Sequence, residues 1–231
     1  MTGSQREGEL DTGFAVLDTA RESRLGFPEV IYGEGKTAEQ LIQIARRMRE
    51  KSDKLLMTRI GSEKAALVTA AVPDLLYHSE AQAITGFVPL PPPSREGYIA
   101  VVCAGTSDRR VAEEAAVTLE IMGSRVERIT DVGVAGIHRL LSRLDALRNA
   151  DVVIAIAGME GALPSVLGGL IARPLIAVPT SVGYGTGLNG LIAMGAMLNG
   201  CAPGVTVVNI DNGFGAAYAA ANIHKSIRRE Q

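Results

Sequence analysis

Five times between residues 98 and 227, a short run rich in β-branched apolar residues gives way to a stretch of helical periodicity, and no other feature limits the fold as tightly. The paired segments are 98–103 and 108–122, 125–129 and 137–147, 152–157 and 162–170, 175–178 and 188–198, and 205–210 and 216–227. A strand that pairs in parallel with the next needs a crossover long enough to return to the same edge of the sheet, and a helix supplies it. Five such units predict an α/β fold, a parallel sheet with helices on both faces, and a ligand crevice at the carboxyl ends of the strands. The loops that would line the crevice are 104–108, 131–138, 158–161, 179–185 and 211–215; they hold Gly105, Thr106, Ser107 and Asp108; Asp131, Gly136 and His138; Gly158 and Glu160; Thr180, Ser181, Gly183 and Tyr184; and Asp211. Of 26 glycines, 18 fall from Gly97 onward, as expected where backbone passes close to a ligand.

The preceding part reads differently. Residues 11–24 and 38–51 have amphipathic helical spacing, the second opened by a capping box of Thr37 and Gln40, and 30–32 and 55–58 are candidate short strands. The stretch 89–94, PLPPPS, is extended and stiff, and divides a small N-terminal α/β domain, 1–93, from the larger α/β domain, 94–231.

Charge adds a second constraint. From Asp151 to Ile223, 73 residues carry only Asp151, Glu160, Arg173 and Asp211 as charged side chains, where the whole-chain average would place roughly 15. So little charge predicts the inner layer of the fold plus a surface covered by other copies of the chain, a homo-oligomer. Over the whole chain 23 Lys and Arg nearly balance 25 Asp and Glu, so no basic field is available for nucleic acid or an anionic membrane. The polar start MTGSQREGELD lacks the apolar core of a signal peptide, and no uninterrupted apolar stretch reaches the length of a membrane span, so a soluble protein is expected. Two cysteines without metal-ligand spacing predict no disulfide framework and a reducing cytoplasm.

Several motifs admit two readings. Gly185, Gly187 and Gly190 match a GxGxxG fingerprint with Asp211 about 20 residues on, yet in the fourth unit rather than the first; the segment is a dinucleotide loop or a Gly-rich switch loop. Gly35-Lys36-Thr37 ends like a P-loop, but Val30 stands where that motif needs glycine. Thr106, Ser107 and Asp108 open a helix, where free N–H groups favour a phosphate or where Ser107 or Asp108 caps the turn. Glu160 is either a half-desolvated carboxylate with a raised pKa, fit to move a proton, or a partner of the helix dipole. His138 beside Gly136 suits catalysis or a surface position. Cys103 ends an apolar strand and reads as a small buried hydrophobe; Cys201 lies between the fourth helix and fifth strand, nominally the wrong end of the sheet.

Residues 98–225 resemble the PurE family of aminoimidazole ribonucleotide carboxylases and mutases. Gly105-Thr106-Ser107-Asp108 is similar to its phosphate-binding GSxSD loop, Ile137-His138-Arg139 to its SAHR segment, and residues 158–164 to its GxAAHLPG segment; 203–207 and 213–220 resemble its closing PxGxPV and GAxNAA runs. Two departures separate the chain from the purine enzymes. Ala162 replaces the His of AAHLPG, with Glu160 two residues before it, and Cys201 stands where those enzymes have no nucleophile. Together with RESRLGFPEVIYGEGKT at 21–37, and with CAGTSDRRVAEEAA, GMEGALPSV, VPTSVGYG and CAPGVTVVNIDNGFGAAYAA, these features resemble the LarB family of nickel-pincer cofactor biosynthesis proteins from about residue 17 to 224.

The resemblance implies a flavodoxin-like, PurE-like sheet and an enzyme, a carboxylase and hydrolase. Its substrates would be nicotinic acid adenine dinucleotide and CO2 or bicarbonate, its products pyridinium-3,5-biscarboxylic acid mononucleotide and AMP. An electron-poor pyridinium cannot attack CO2, whereas thiolate addition para to its nitrogen makes the meta carbon nucleophilic. Cys201 is thereby implied as nucleophile with Glu160 as the nearby acid/base, met across an oligomer. Gly105, Thr106, Ser107 and Asp108 are implied to hold phosphate or ribose, Arg109 the pyrophosphate, and Ser181, Gly183 and Tyr184 the substrate, while Asp211 or His138 assists proton transfer. Mg2+ is compatible with the hydrolysis, although the sequence has no metal-ligand cluster, and no tightly bound organic cofactor is expected. The alternatives are a carboxylase or mutase acting on aminoimidazole ribonucleotide, a nicotinamide oxidoreductase and a non-enzymatic nucleotide-binding oligomer.

Overall fold

The computed structural model describes residues 9–11, 13–87 and 96–227, so the proline-rich stretch 89–94 lies outside the described residues. The chain divides into two compact units, Met1–Pro91 and Pro92–Gln231.

In the first unit, β1 (Glu9–Asp11) and β2 (Val16–Asp18) form an antiparallel hairpin, followed by α1 (Arg21–Leu25). Then come β3 (Ile31–Tyr32), α2 (Ala38–Arg49), β4 (Leu55–Thr58), α3 (Ser62–Ala71), β5 (Leu75–His78) and β6 (Ala83–Gly86), whose strands build a mixed sheet in the order β3-β4-β6-β5. The capping box of α2 is present: Thr37 Oγ1 accepts from the Gln40 N–H at 3.2 Å, and Gln40 Oε1 accepts from the Thr37 N–H at 3.0 Å. Leu41, Ile44 and Met48 recur at helical spacing and are buried in the unit's core with Leu55, Met57 and Ile84. The helix expected over 11–24 does not form. Period-two alternation wins there, with Val16 exposed and Leu17 buried. Only five helical residues follow before Gly26, whose left-handed φ of 78° ends them.

The second unit carries β7 (Ile99–Cys103), β8 (Val126–Ile129), β9 (Val152–Ala157), β10 (Leu175–Pro179) and β11 (Val205–Val207), all parallel, in the order β11-β10-β9-β7-β8. Counted from β7 this is the flavodoxin-like order 2-1-3-4-5. The crossovers contain α4 (Arg109–Ile121), α5 (Ile137–Leu141) with α6 (Leu144–Asn149), α7 (Leu163–Gly168) and α8 (Leu191–Leu198), and α9 (Gly213–Ile227) follows β11. Side chains alternate across the sheet. Ile99, Val101, Ile154, Ile156 and Val178 join the core that contains α4 and α9, whereas Val102, Val153, Ala155 and Ala177 join Leu140, Leu147, Leu163 and Met197 on the other face.

The scarcity of charge after Asp151 has two structural expressions. β9 and β10 are buried along their whole length. α8, with sequence LIAMGAML, buries Ala193 and Met197 but leaves Leu191, Ile192 and Leu198 exposed. The helix expected over 188–198 begins at Leu191 because Leu188 and Asn189 are left-handed, with φ of 48° and 51°. The one expected over 137–147 breaks between Leu141 and Leu144.

At the amino-terminal end of the sheet, His224 of α9 is fully buried. Its Nε2 lies 3.1 Å from the Glu96 carbonyl and 3.2 Å from Asp151 Oδ2, and its Nδ1 3.3 Å from Ser124 Oγ. The last helix is thereby tied to the segments that lead into β7, β8 and β9. Among the described residues no helix is long and apolar enough to cross a membrane.

Candidate active site

From β7 the chain moves to β8 on one side of the sheet and then to β9 on the other, so the loops after β7 and β9 part and leave a crevice. A cavity of about 330 Å³ occupies it. Gly105, Ser107 and Asp108 line it from the β7 loop, Asp131 and Arg139 from beyond β8, Gly158, Met159 and Glu160 from the β9 loop, and Val182 from the β10 loop. A second hollow of about 210 Å³ shares Met159 and Glu160 and adds Gly183, Tyr184, Thr186 and Ile192.

Asp108 organises the floor. It is 4% exposed, and its carboxylate accepts from the Gly105 N–H at 3.0 Å and the Thr180 hydroxyl at 2.7 Å, with a further bond from the Gly158 N–H. One side chain thus joins the ends of β7, β9 and β10. Burial lifts its pKa above the usual aspartate value; the Thr180 bond, then the Gly105 and Gly158 bonds, oppose the rise, and the negative charge of Asp211 adds to it. Glycine is required at 158, since a Cβ there would lie 2.3 Å from the Val182 carbonyl oxygen and 2.7 Å from Thr180 Oγ1. Asp108 makes no side-chain capping bond to α4. It closes the loop before that helix and leaves Ser107 exposed beside the crevice.

Asp211 is also engaged in structure. Its backbone is left-handed, φ 54°, and its carboxylate accepts from the Ser181 N–H at 2.9 Å and pairs with Arg110 at 3.7 Å, fastening the β10 loop to the β11 loop. Arg109 and Thr106 are exposed and line neither hollow, and Asp211 lies outside both.

Glu160 is exposed, not half desolvated as expected. Met159 and Gly161, with positive φ of 52° and 67°, carry it to the mouth shared by the two hollows. His138 is exposed and outside the cavity, whereas its neighbour Arg139 lines it and is ion-paired with Asp131. Gly183 and Tyr184 line the smaller hollow, Tyr184 being 82% exposed; Ser181 contributes its backbone N–H to Asp211. The Gly185–Gly190 segment is a 3-10 turn, kinked at the left-handed Leu188 and Asn189, that joins β10 to α8.

The two cysteines contrast. Cys103 is sealed at the end of β7, where burial pushes its thiol up to about 11. Cys201 is exposed in the loop between α8 and β11, at the amino-terminal edge of the parallel sheet, so one chain does not bring Cys201 and Glu160 together. Among the described residues no three His, Cys, Asp or Glu side chains gather to hold a metal ion. The sequence places Asp131 and Thr180 on crevice loops and Arg139 in the SAHR-like segment without marking a role for any of them, and Arg110 is the site residue that sequence reasoning missed; it stands next to Arg109.

Two known domain families match the chain in succession: the LarB/PurE-like N-terminal domain over residues 9–87 and AIR carboxylase over residues 98–230. An uncharacterized protein of Methanocaldococcus jannaschii is 41% identical over 222 residues, 92% of this chain and 85% of that protein. The N5-carboxyaminoimidazole ribonucleotide mutase of the same organism is 36% identical over 130 residues, 54% of this chain and 77% of the mutase. With a PurE-like domain forming most of its length and a LarB-type domain before it, the chain belongs to the LarB family.

Proposed function

We propose that the protein is an enzyme that carboxylates the pyridinium ring of nicotinic acid adenine dinucleotide with CO2 or bicarbonate and hydrolyses its phosphoanhydride. The products are pyridinium-3,5-biscarboxylic acid mononucleotide and AMP. The observation that carries this reading is the charge on the crevice walls, where three carboxylates, Asp108, Asp131 and Glu160, and one guanidinium, Arg139, are the charged groups among the described lining residues. Such walls favour a cationic heterocycle over a neutral one. At the head of a 13-residue helix, the backbone N–H groups of Thr106 and Ser107 are offered to a phosphate, those of Gly105 and Asp108 being bonded within the loop.

The thiolate of Cys201 adds to the ring carbon para to the nitrogen, and the ring electrons move onto that nitrogen to give a neutral dienamine. Its free meta carbon attacks CO2, Glu160 takes the proton from the same carbon, and the returning electrons expel the thiolate and restore the aromatic ring. No electron is gained or lost overall. In the hydrolysis, water attacks one phosphorus, the bridging P–O bond breaks, and the N–H groups of Thr106 and Ser107 with the Ser107 hydroxyl stabilise the developing charge. Because Cys201 and Glu160 lie at opposite ends of the sheet, a second copy delivers the thiol. Leu191, Ile192 and Leu198 of α8, whose end leads into the Cys201 loop, offer exposed apolar surface for that copy. Thiolate chemistry suits a reducing compartment such as the cytoplasm.

The likeness to the mutase favours a second reading, a carboxylase or mutase acting on aminoimidazole ribonucleotide, and Ala162 in place of the PurE-type His opposes it. Incubation with the dinucleotide without bicarbonate, followed by intact-mass spectrometry, should give an adduct that Cys201→Ser abolishes. Incorporation of labelled bicarbonate by Cys201→Ser at the native rate would refute covalent catalysis. Turnover of aminoimidazole ribonucleotide in place of the dinucleotide would refute the substrate.

A further inference from the structure

We infer that Arg139 reads the carboxylate on the pyridine ring and so selects the acid form of the dinucleotide over its amide; the inference rests on the function proposed above. Among the described residues Arg139 is the cation of a cavity whose other charged walls are carboxylates. Its place is tightly set. It belongs to α5, it is ion-paired with Asp131, and it lies so close to Gly136 that a Cβ there would sit 2.6 Å from its Nε and 2.9 Å from its Nη2. A guanidinium has five N–H donors and one carboxylate takes two at most, so the pair with Asp131 leaves donors for a ligand.

Loop 105–108 belongs to a different element from Arg139, and both line the same cavity. A ligand that spans them needs a phosphate at one end and a second anion at the other. The proposed substrate ring is a zwitterion, with a positive nitrogen that Asp131 and Glu160 attract and a carboxylate that a guanidinium fork can hold in two parallel bonds. An amide at the same carbon has no charge, and its NH2 would meet the guanidinium donor to donor.

The test is equilibrium titration of the full chain with nicotinic acid adenine dinucleotide and, separately, nicotinamide adenine dinucleotide, for the wild type, Arg139→Gln and Arg139→Lys. The wild type should prefer the acid by roughly 10- to 100-fold, the range of a charge-assisted pair whose partner is removed. Arg139→Gln should lose the preference, chiefly through weaker binding of the acid. Arg139→Lys should keep part of it, as a point charge without the fork. A preference that survives Arg139→Gln, equal weakening toward both ligands, or a wild type that binds both alike would overturn the role of Arg139 and leave the proposed reaction standing. A folded wild type that binds neither ligand would overturn the reaction and the inference together.

Discussion

Replacing Thr180 by Val removes one hydroxyl from a buried carboxylate and little else. Thr180 is 0% exposed, and its hydroxyl donates at 2.7 Å to Asp108, itself 4% exposed, so solvent does not take over the bond while the loops stay closed. A hydrogen bond to a charged group is worth about 1.5–3 kcal/mol. In a unit of this size 1 kcal/mol shifts Tm by about 4 °C, which predicts a fall of about 6–12 °C at neutral pH. The loss has a definite pH dependence. Burial holds the folded-state pKa of Asp108 above its unfolded value of about 3.9, so between the two values the folded protein binds the extra proton and stability falls as pH rises. The Thr180 hydroxyl is the strongest influence opposing that rise, so its deletion moves the upper edge of this window to higher pH. The cost of Thr180→Val is therefore smallest near pH 4 and grows toward pH 8. In an Asp108→Asn background, where no charge is present, the cost should not vary with pH. Urea unfolding of the four proteins by circular dichroism between pH 4 and 8 measures this. A cost of Thr180→Val that is the same at both ends of the range would refute the assignment of Thr180 as the donor that keeps Asp108 ionised.

Two other outcomes follow from the same geometry. Iodoacetamide at pH 8 should add once to the native chain, at Cys201, because the buried Cys103 thiol, held at about 11, is ionised to only about one part in a thousand at that pH; two additions by intact mass would show that β7 opens readily. In light scattering at micromolar concentration the native particle should have a multiple of the 24.3 kDa chain mass, and Leu191→Asp with Leu198→Asp should reduce it without changing the helical signal. A native monomer refutes the oligomer.

The larger sheet was legible because its strands are apolar runs at regular spacing, each closed by a loop of small residues. The hairpin of β1 and β2 was not, because Phe14 and Leu17 also suit a helical stripe, and only pairing with residues 9–11 decides between the two. At the site, the loops were legible and the directions of their side chains were not. Arg109 and Arg110, like His138 and Arg139, are neighbours at the start of a helix, where consecutive side chains point about 100° apart and just one faces a given wall. The bond from Thr180 to Asp108 joins residues 72 positions apart, and it exists only once β7 and β10 share a sheet. The position of Cys201, between α8 and β11, followed from topology alone.

The helix α9 follows all five strands of the larger sheet along the chain, yet its alanines complete the core around strands laid down in the middle, and His224 reaches back 128 residues to Glu96. Until those 15 residues leave the ribosome, Ile154, Ile156 and Val178 have one face open to water, and the chain must close a very long loop to cover them. A nascent chain halted near residue 212 is for that reason a template for aggregation, with its apolar layer bare. Vectorial synthesis thus postpones closure of this core until the residues beyond β11 have emerged.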